Sequence, residues 1–291
     1  MIKRIGIYLN EMFPLSAFIG SILTAVAIQL TYLRLFGIRP DSFLPLIVPA
    51  LVLTSVSLLI RIMDEFKDYE DDLTNFPTRP LPSGKVLKSD LMYLGIFCSF
   101  VVVFLSLSSM TLLVWGLITL VFTGLMLKWF FIEEVMRKNL PLAFITHHPI
   151  VVFNFVYLVL ACMQSYPNVT WKEAIYVLPI ALIFTNWEVV RKIRAPEQET
   201  SYTTYSKIFG PRPAIIIAIV LQLIFTGTVL LIFQKIETSI YLKLTFGLAQ
   251  IFLMLPSFKF LFTLKLTKPF KPIAETQILL VVASLLAAAF L

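Results

Sequence analysis

Charge is scarce in this chain, and acidic charge is scarcest. Only 14% of the 291 residues are charged, with 17 aspartates and glutamates against 24 lysines and arginines. A soluble domain of ordinary composition carries about 25% charged residues, so the shortage excludes one. There are two cysteines, Cys98 and Cys162, both inside apolar runs. That excludes a disulfide framework and gives no thiolate metal site, so both read as packing residues. No loop is long enough to hold a separate soluble domain. No signal peptide is read at the N-terminus either: Met1 to Asn10 is short and basic, and the apolar run after it continues without a small-residue cleavage site.

What fills the chain is apolar: 58% of residues are hydrophobic and the mean hydropathy is +0.88. The apolar residues come in blocks of roughly 17–25, the length that crosses a bilayer core. Nine such blocks predict helices over about 12–36, 43–63, 89–109, 111–128, 141–163, 171–190, 213–234, 240–262 and 273–291. The expected fold class is all-α integral membrane: nine transmembrane helices in one bundle, a single domain over 1–291.

The net charge of +7 reads as topology rather than as affinity for nucleic acid. Of the 24 basic residues, 19 fall at the N-terminus and in the loops after helices two, four, six and eight, Arg61, Arg137 and Lys268 among them. The excess of positive charge on that side predicts a cytoplasmic N-terminus. The same placement argues against a transporter or channel, which would carry ionisable groups near the middle of its helices.

The scarce acids are concentrated. Six of the 17 lie between Asp64 and Asp72, and Asp64, Asp68 and Asp72 are spaced i, i+4, i+8. On a helix that spacing puts all three on roughly one face, about 6 Å of rise apart. Stacked carboxylates repel unless a cation sits among them, and Mg²⁺ suits them because it takes one or two carboxylates together with substrate phosphates. Glu65, Glu70 and Asp71 in the same run read as surface charge. The run Arg79-Pro80-Leu81-Pro82-Ser83-Gly84 follows. A second polar loop follows helix six and carries Glu188, Glu197 and Glu199 among Arg191, Lys192 and Arg194, with Glu188 and Arg191 on one helix face at i, i+3. These two loops, about 64–88 and 188–212, suit a diphosphate bound through Mg²⁺, with acids on the metal, bases on the remaining charge, and an apolar tail among the helices.

With those acids and the Arg79–Gly84 run, the chain resembles the UbiA family of intramembrane prenyltransferases, whose first motif is Asn-x-x-x-Asp-x-x-x-Asp followed by Arg-Pro-Leu-Pro-Ser-Gly. Asp64 stands where the family has Asn. Lys128 matches a family lysine at the end of helix four, without the tyrosine that usually precedes it. The second motif carries glutamates and bases instead of several aspartates. The resemblance implies Mg²⁺-dependent transfer of a prenyl group from an isoprenyl diphosphate to a lipophilic, aromatic acceptor through an allylic carbocation, in a cavity of the bundle that opens sideways to the bilayer.

It implies catalytic roles for Asp64, Asp68, Asp72, Lys128 and Arg79, with Asp64, Asp68, Asp72 and Glu188 on the metal. Glu188, Arg191, Lys192, Asn154 and His147 are the substrate-binding candidates. His147 and His148 lie near the start of helix five, where a satisfied helix-end pair competes with an acceptor-binding role. Asn154, deeper in that helix, either lines the cavity or bonds a neighbouring helix. The alternative reading is a UbiA-type terpene cyclase, in which the prenyl chain's own double bonds attack. The Gly- and Ala-bearing spacing of alcohol phosphotransferases is absent.

Overall fold

A computed structural model describes residues 1–199, 204–266 and 269–290. Lys268 and Leu291, both used in the sequence reading, lie outside them. The described residues contain nine helices long and apolar enough to cross a membrane, as expected. Backbone amides in hydrocarbon have no water to bond, so each span closes its own hydrogen bonds as a helix.

The chain order is α1 (Ile2–Met12), α2 (Leu15–Arg34), α3 (Leu44–Lys67), α4 (Tyr69–Asn75), α5 (Lys88–Ser106) and α6 (Met110–Leu127). Then come α7 (Glu133–Lys138), α8 (Leu140–His147), α9 (Pro149–Ser165), α10 (Ala174–Val177), α11 (Leu182–Val190) and α12 (Tyr205–Phe209). The chain closes with α13 (Pro211–Lys235), α14 (Ile240–Thr263) and α15 (Lys271–Phe290).

Three features depart from the expected pattern. The basic N-terminus is itself helical: α1 is amphipathic, buries Tyr8 against Leu59, Ile62 and Leu91, and ties Arg4 to Asp90 of α5 by two bonds of 2.6 and 2.9 Å. The fifth span is broken between His147 and Pro149, because Pro149 has no N–H with which to continue the ladder. The histidines therefore sit at a joint about two turns inside the span Leu140–Ser165. The sixth span is a relay of short pieces, with a tight turn at Leu178–Ala181 around Pro179 between α10 and α11. Discontinuous helices of this kind are tolerated in membranes where they are buried in protein or line a polar cavity.

The packing sorts into two compact units. The first comprises residues 1–26, 41–137 and 156–166. Its centre is α3 against α5 and α6, with Val52, Val56, Val102, Leu112, Tyr157 and Ala161 in one buried cluster. Ser106 and Tyr157 share a hydroxyl–hydroxyl bond of 2.8 Å there. Gly116 lets α6 come close to α5, since a Cβ on it would lie 3.0 Å from the Ser106 hydroxyl.

The second unit comprises residues 27–40, 138–155 and 167–291. There α13 packs on α11, α12 and α14, and α15 packs on α11 and α14. Lipid is as apolar as leucine, so small residues and polar pairs hold such helices together. Asn186 of α11 donates to Gln277 of α15 at 3.2 Å, and both are fully buried.

Candidate functional site

The acidic motif grows out of the end of α3. Helical bonding continues through it, with Asp68 N–H donating to the Asp64 carbonyl at 2.9 Å and Asp72 N–H to the Asp68 carbonyl at 2.8 Å. The helix bends at Asp68, whose φ and ψ are −100° and 11°, and resumes as α4.

The three aspartates meet different surroundings. Asp64 is half-exposed, 3.3 Å from the Lys67 ammonium. Asp72 is only 5% exposed and receives Arg79 Nη1 at 2.6 Å on both oxygens. Asp68 has no side-chain hydrogen bond or ion pair among the described residues. Burial first, and then the charges of Asp64 and Asp72, push its carboxyl up to about 6; Lys67 and Arg137 offset part of that.

The Arg79–Gly84 run is a compact turn. Ser83 N–H bonds the Arg79 carbonyl at 3.0 Å and Val86 N–H the Pro80 carbonyl at 3.1 Å. Leu81 and Val86 are buried in the unit's core, and Gly84 closes the turn at φ +75°. That geometry brings Arg79 back onto Asp72 and lays its guanidinium over the Phe76 ring at 4.0 Å. Lys128 caps the end of α6 and is exposed. A small pocket runs from Asp64 and Lys67 to Thr123, Met126 and Leu127, next to Lys128 in sequence.

Two contributions escaped the sequence reading. Arg137 bonds Asp71 at 2.7 Å, the Lys67 carbonyl at 3.2 Å and Glu133 at 2.7 Å. Its guanidinium and the Lys67 ammonium both lie over the Trp129 ring, at 5.2 and 4.5 Å. Trp129, Phe130 and Phe131 form a turn with φ of 49°, 49° and 62°, the left-handed region. The expectation of surface charge fails for Glu65. It is 1% exposed and paired with Arg61 one turn earlier, because its position in α3 faces the unit's interior. Glu70 and Asp71 are exposed, as expected.

In the second unit, Glu188 accepts from Arg191 at 2.6 Å and from Lys192 at 3.0 Å, one cation on each oxygen. The expected i, i+3 pairing is there. Glu199 receives the hydroxyls of Thr204 and Ser206, at 2.9 and 2.6 Å on one oxygen. His147 Nδ1 meets the Ala143 carbonyl of its own helix at 2.8 Å, and Asn154 is half-buried in α9. His148 reaches another helix: its Nε2 lies 2.5 Å from Thr185 Oγ1.

Among the described residues no three carboxylate, imidazole or thiol side chains converge into a ready-made metal cage. Mg²⁺ does not require one, since it keeps waters and takes one or two carboxylates plus substrate phosphates. Asp68 fits that role, as a desolvated, unpaired carboxylate between two others. Glu188 does not fit, because a metal there would have to displace both Arg191 and Lys192.

No protein-family profile matches the chain, and a search of curated proteins returns no significant match. Two solved structures are similar across nearly the whole chain. One is a digeranylgeranylglyceryl phosphate synthase, at 16% identity and TM-score 0.65, covering 99% of each chain. The other is a UbiA homolog from Aeropyrum pernix K1, at 11% identity and TM-score 0.63, covering 92% of this chain and 97% of the other. The protein is a multi-span membrane protein with the fold of UbiA-type prenyltransferases.

Proposed function

We propose that the protein is a magnesium-dependent prenyltransferase that moves an isoprenyl group from its diphosphate to a lipophilic acceptor. The observation that carries this reading is Asp68: an accessible carboxylate without a partner, raised to about 6, in a motif whose other two aspartates already face Lys67 and Arg79. Keeping an unpaired carboxylate beside two others costs stability, and a divalent cation bridging it to an anionic ligand removes that cost.

Asp68 and Asp64 are the proposed metal carboxylates, and the bound metal supplies neutralising charge to the departing diphosphate. Arg79, Lys128 and Arg137 provide positive charge for the phosphate oxygens. Loss of diphosphate leaves an allylic cation, which the acceptor attacks, and apolar surroundings keep water from quenching it. The distribution of basic residues supports a cytoplasmic N-terminus and cytoplasmic polar loops. The digeranylgeranylglyceryl phosphate synthase supports a prenyl substrate by its name.

The test is turnover of a prenyl diphosphate by Asp68→Ala and Asp72→Ala in membranes where both variants insert normally. Both are expected to lose activity by at least a hundredfold, about 2.7 kcal/mol of transition-state stabilisation. Full activity in both would overturn the assignment.

A further inference from the structure

Pro80 and Pro82 have no N–H to give, so the turn that carries Arg79 closes on few bonds of its own. Besides the two already described, Gly84 N–H meets the Leu81 carbonyl at 3.1 Å and Ser83 Oγ the Pro80 carbonyl at 3.3 Å. A segment built this way is fixed by what it packs on. Here that is α1.

Arg4, Tyr8 and Glu11 are spaced i, i+4, i+7, on one face of α1. All three meet the chain between Leu81 and Asp90. Glu11 pairs with Lys85 at 3.1 Å. Tyr8 is fully buried in one cluster with Leu81 and Val86, on either side of Gly84. Arg4 holds Asp90, whose side chain is only 3% exposed and also receives the Leu87 N–H at 3.0 Å. So α1 lies as a splint from the arginine turn to the first turn of α5. The acidic motif leans on the same cluster: Phe66 and Tyr69 pack against it, and Lys88 Nζ lies 3.6 Å from the centre of the Tyr69 ring. All of these residues belong to the first compact unit. The opposite face of α1, with Lys3, Gly6 and Asn10, is exposed.

We propose that α1 positions Arg79 for the diphosphate, with Arg4 and Tyr8 as the positioning residues. This rests on the prenyl-transfer reading, which gives Arg79 its phosphate contact, and extends the machinery to a helix outside both motifs. A turn held in place before the ligand arrives does not pay for its ordering at the moment of binding. The effect of α1 passes through Arg79, so loosening α1 weakens diphosphate binding without removing a contact to it.

The experiment is calorimetry of inorganic pyrophosphate with Mg²⁺ on the full chain in nanodiscs. Arg79→Ala is expected to weaken binding by about tenfold, the loss of one charge-assisted contact. Arg4→Ala is expected to raise the pyrophosphate Kd by roughly three- to tenfold, and Arg4→Lys by less. Tyr8→Ala gives a loss of the same size, and Tyr8→Phe recovers most of it, because the ring makes the contact. In the Arg79→Ala background, Arg4→Ala is expected to add less than about twofold, since the two act in series. Tyr157→Phe is the stability control: it loses the bond to Ser106 in the same unit, so its thermal midpoint falls. Its pyrophosphate Kd is expected to stay within about twofold of the unaltered protein.

Unchanged binding in Arg4→Ala and Tyr8→Ala, beside a clear loss in Arg79→Ala, overturns this inference and leaves the prenyl-transfer reading standing. So does an Arg4→Ala loss that is the same with and without Arg79, or one matched by Tyr157→Phe, since α1 would then be a stabiliser alone. Where Tyr8→Ala fails to insert, the Arg4 variants carry the test. If the unaltered protein does not bind magnesium pyrophosphate, or if Arg79→Ala binds it equally well, the diphosphate role of the turn falls first and this inference with it.

Discussion

Arg79 Nη1 lies 2.6 Å from both carboxylate oxygens of Asp72, seven residues earlier. Asp72 is nearly enclosed while Arg79 is about a third exposed. Removing the arginine therefore strands a desolvated carboxylate, whereas removing the carboxylate leaves a cation that can turn to water. Arg79→Ala is expected to cost about 1–3 kcal/mol, discounted from a fully buried pair for the exposed arginine. Asp72→Asn is expected to cost less. Denaturation of the two variants in the same detergent compares them directly, and equal losses would contradict the asymmetry.

Asp68 gives a pH signature. Its carboxyl titrates near 4 when unfolded and at about 6 in the folded chain. Between those values the folded state holds the proton more tightly, so this group makes stability fall as pH rises, and the loss is complete above the folded value. A metal binds the deprotonated form. The thermal shift produced by Mg²⁺ with a prenyl diphosphate should therefore be small at pH 5 and grow through pH 7. In Asp68→Asn the pH dependence should vanish. Thermal scans at four or five pH values read both effects.

Gly84 should not tolerate a side chain, for a backbone reason alone. Its φ is +75°, and a Cβ there would meet nothing within 4 Å. Gly84→Ala is expected to lose about 1 kcal/mol, and Gly84→Asn less, since Asn adopts left-handed backbone more readily. Because this turn carries Arg79, Gly84→Ala should also weaken diphosphate binding. A stability loss without any change in binding would separate the turn from the site.

The amide pair of the second unit, Asn186 and Gln277, is testable by a double-mutant cycle. Asn186→Leu and Gln277→Leu each strand a buried amide and should each cost about 1–2 kcal/mol. The double variant should lose less than the sum, with a coupling of about 0.6 kcal/mol, typical for helix pairs in membranes. Additive losses would mean that the 3.2 Å bond contributes nothing.

Local pattern carried the parts of this protein that depend on local pattern. The nine apolar blocks correspond to nine helices among the described residues long and apolar enough to cross a membrane, and the i, i+4, i+8 aspartates kept their helical bonding through Asp72. Arg79–Gly84 is a turn because its prolines and glycine leave it few alternatives. What stayed hidden required distant segments to meet. Arg137 read as a topology charge, yet it contacts Asp71 across 66 positions of sequence. Glu65 looked like one more acid in an acidic run, and only the packing of α1 and α5 around α3 buries it. His148 and His147 are adjacent and chemically identical; the helix break at Pro149 and a threonine 37 residues later distinguish them.

The turn at Trp129–Phe131 places three bulky L-residues in left-handed backbone, each disfavoured by about 1–2 kcal/mol. Lys67 and Arg137 flank its tryptophan, and both also neighbour Asp68. A ligand that draws either cation toward phosphate loosens the clasp on Trp129, so the relaxation of that coil belongs to the free energy of occupancy. Tryptophan fluorescence should then follow saturation of the acidic motif, even though no ligand atom touches the indole.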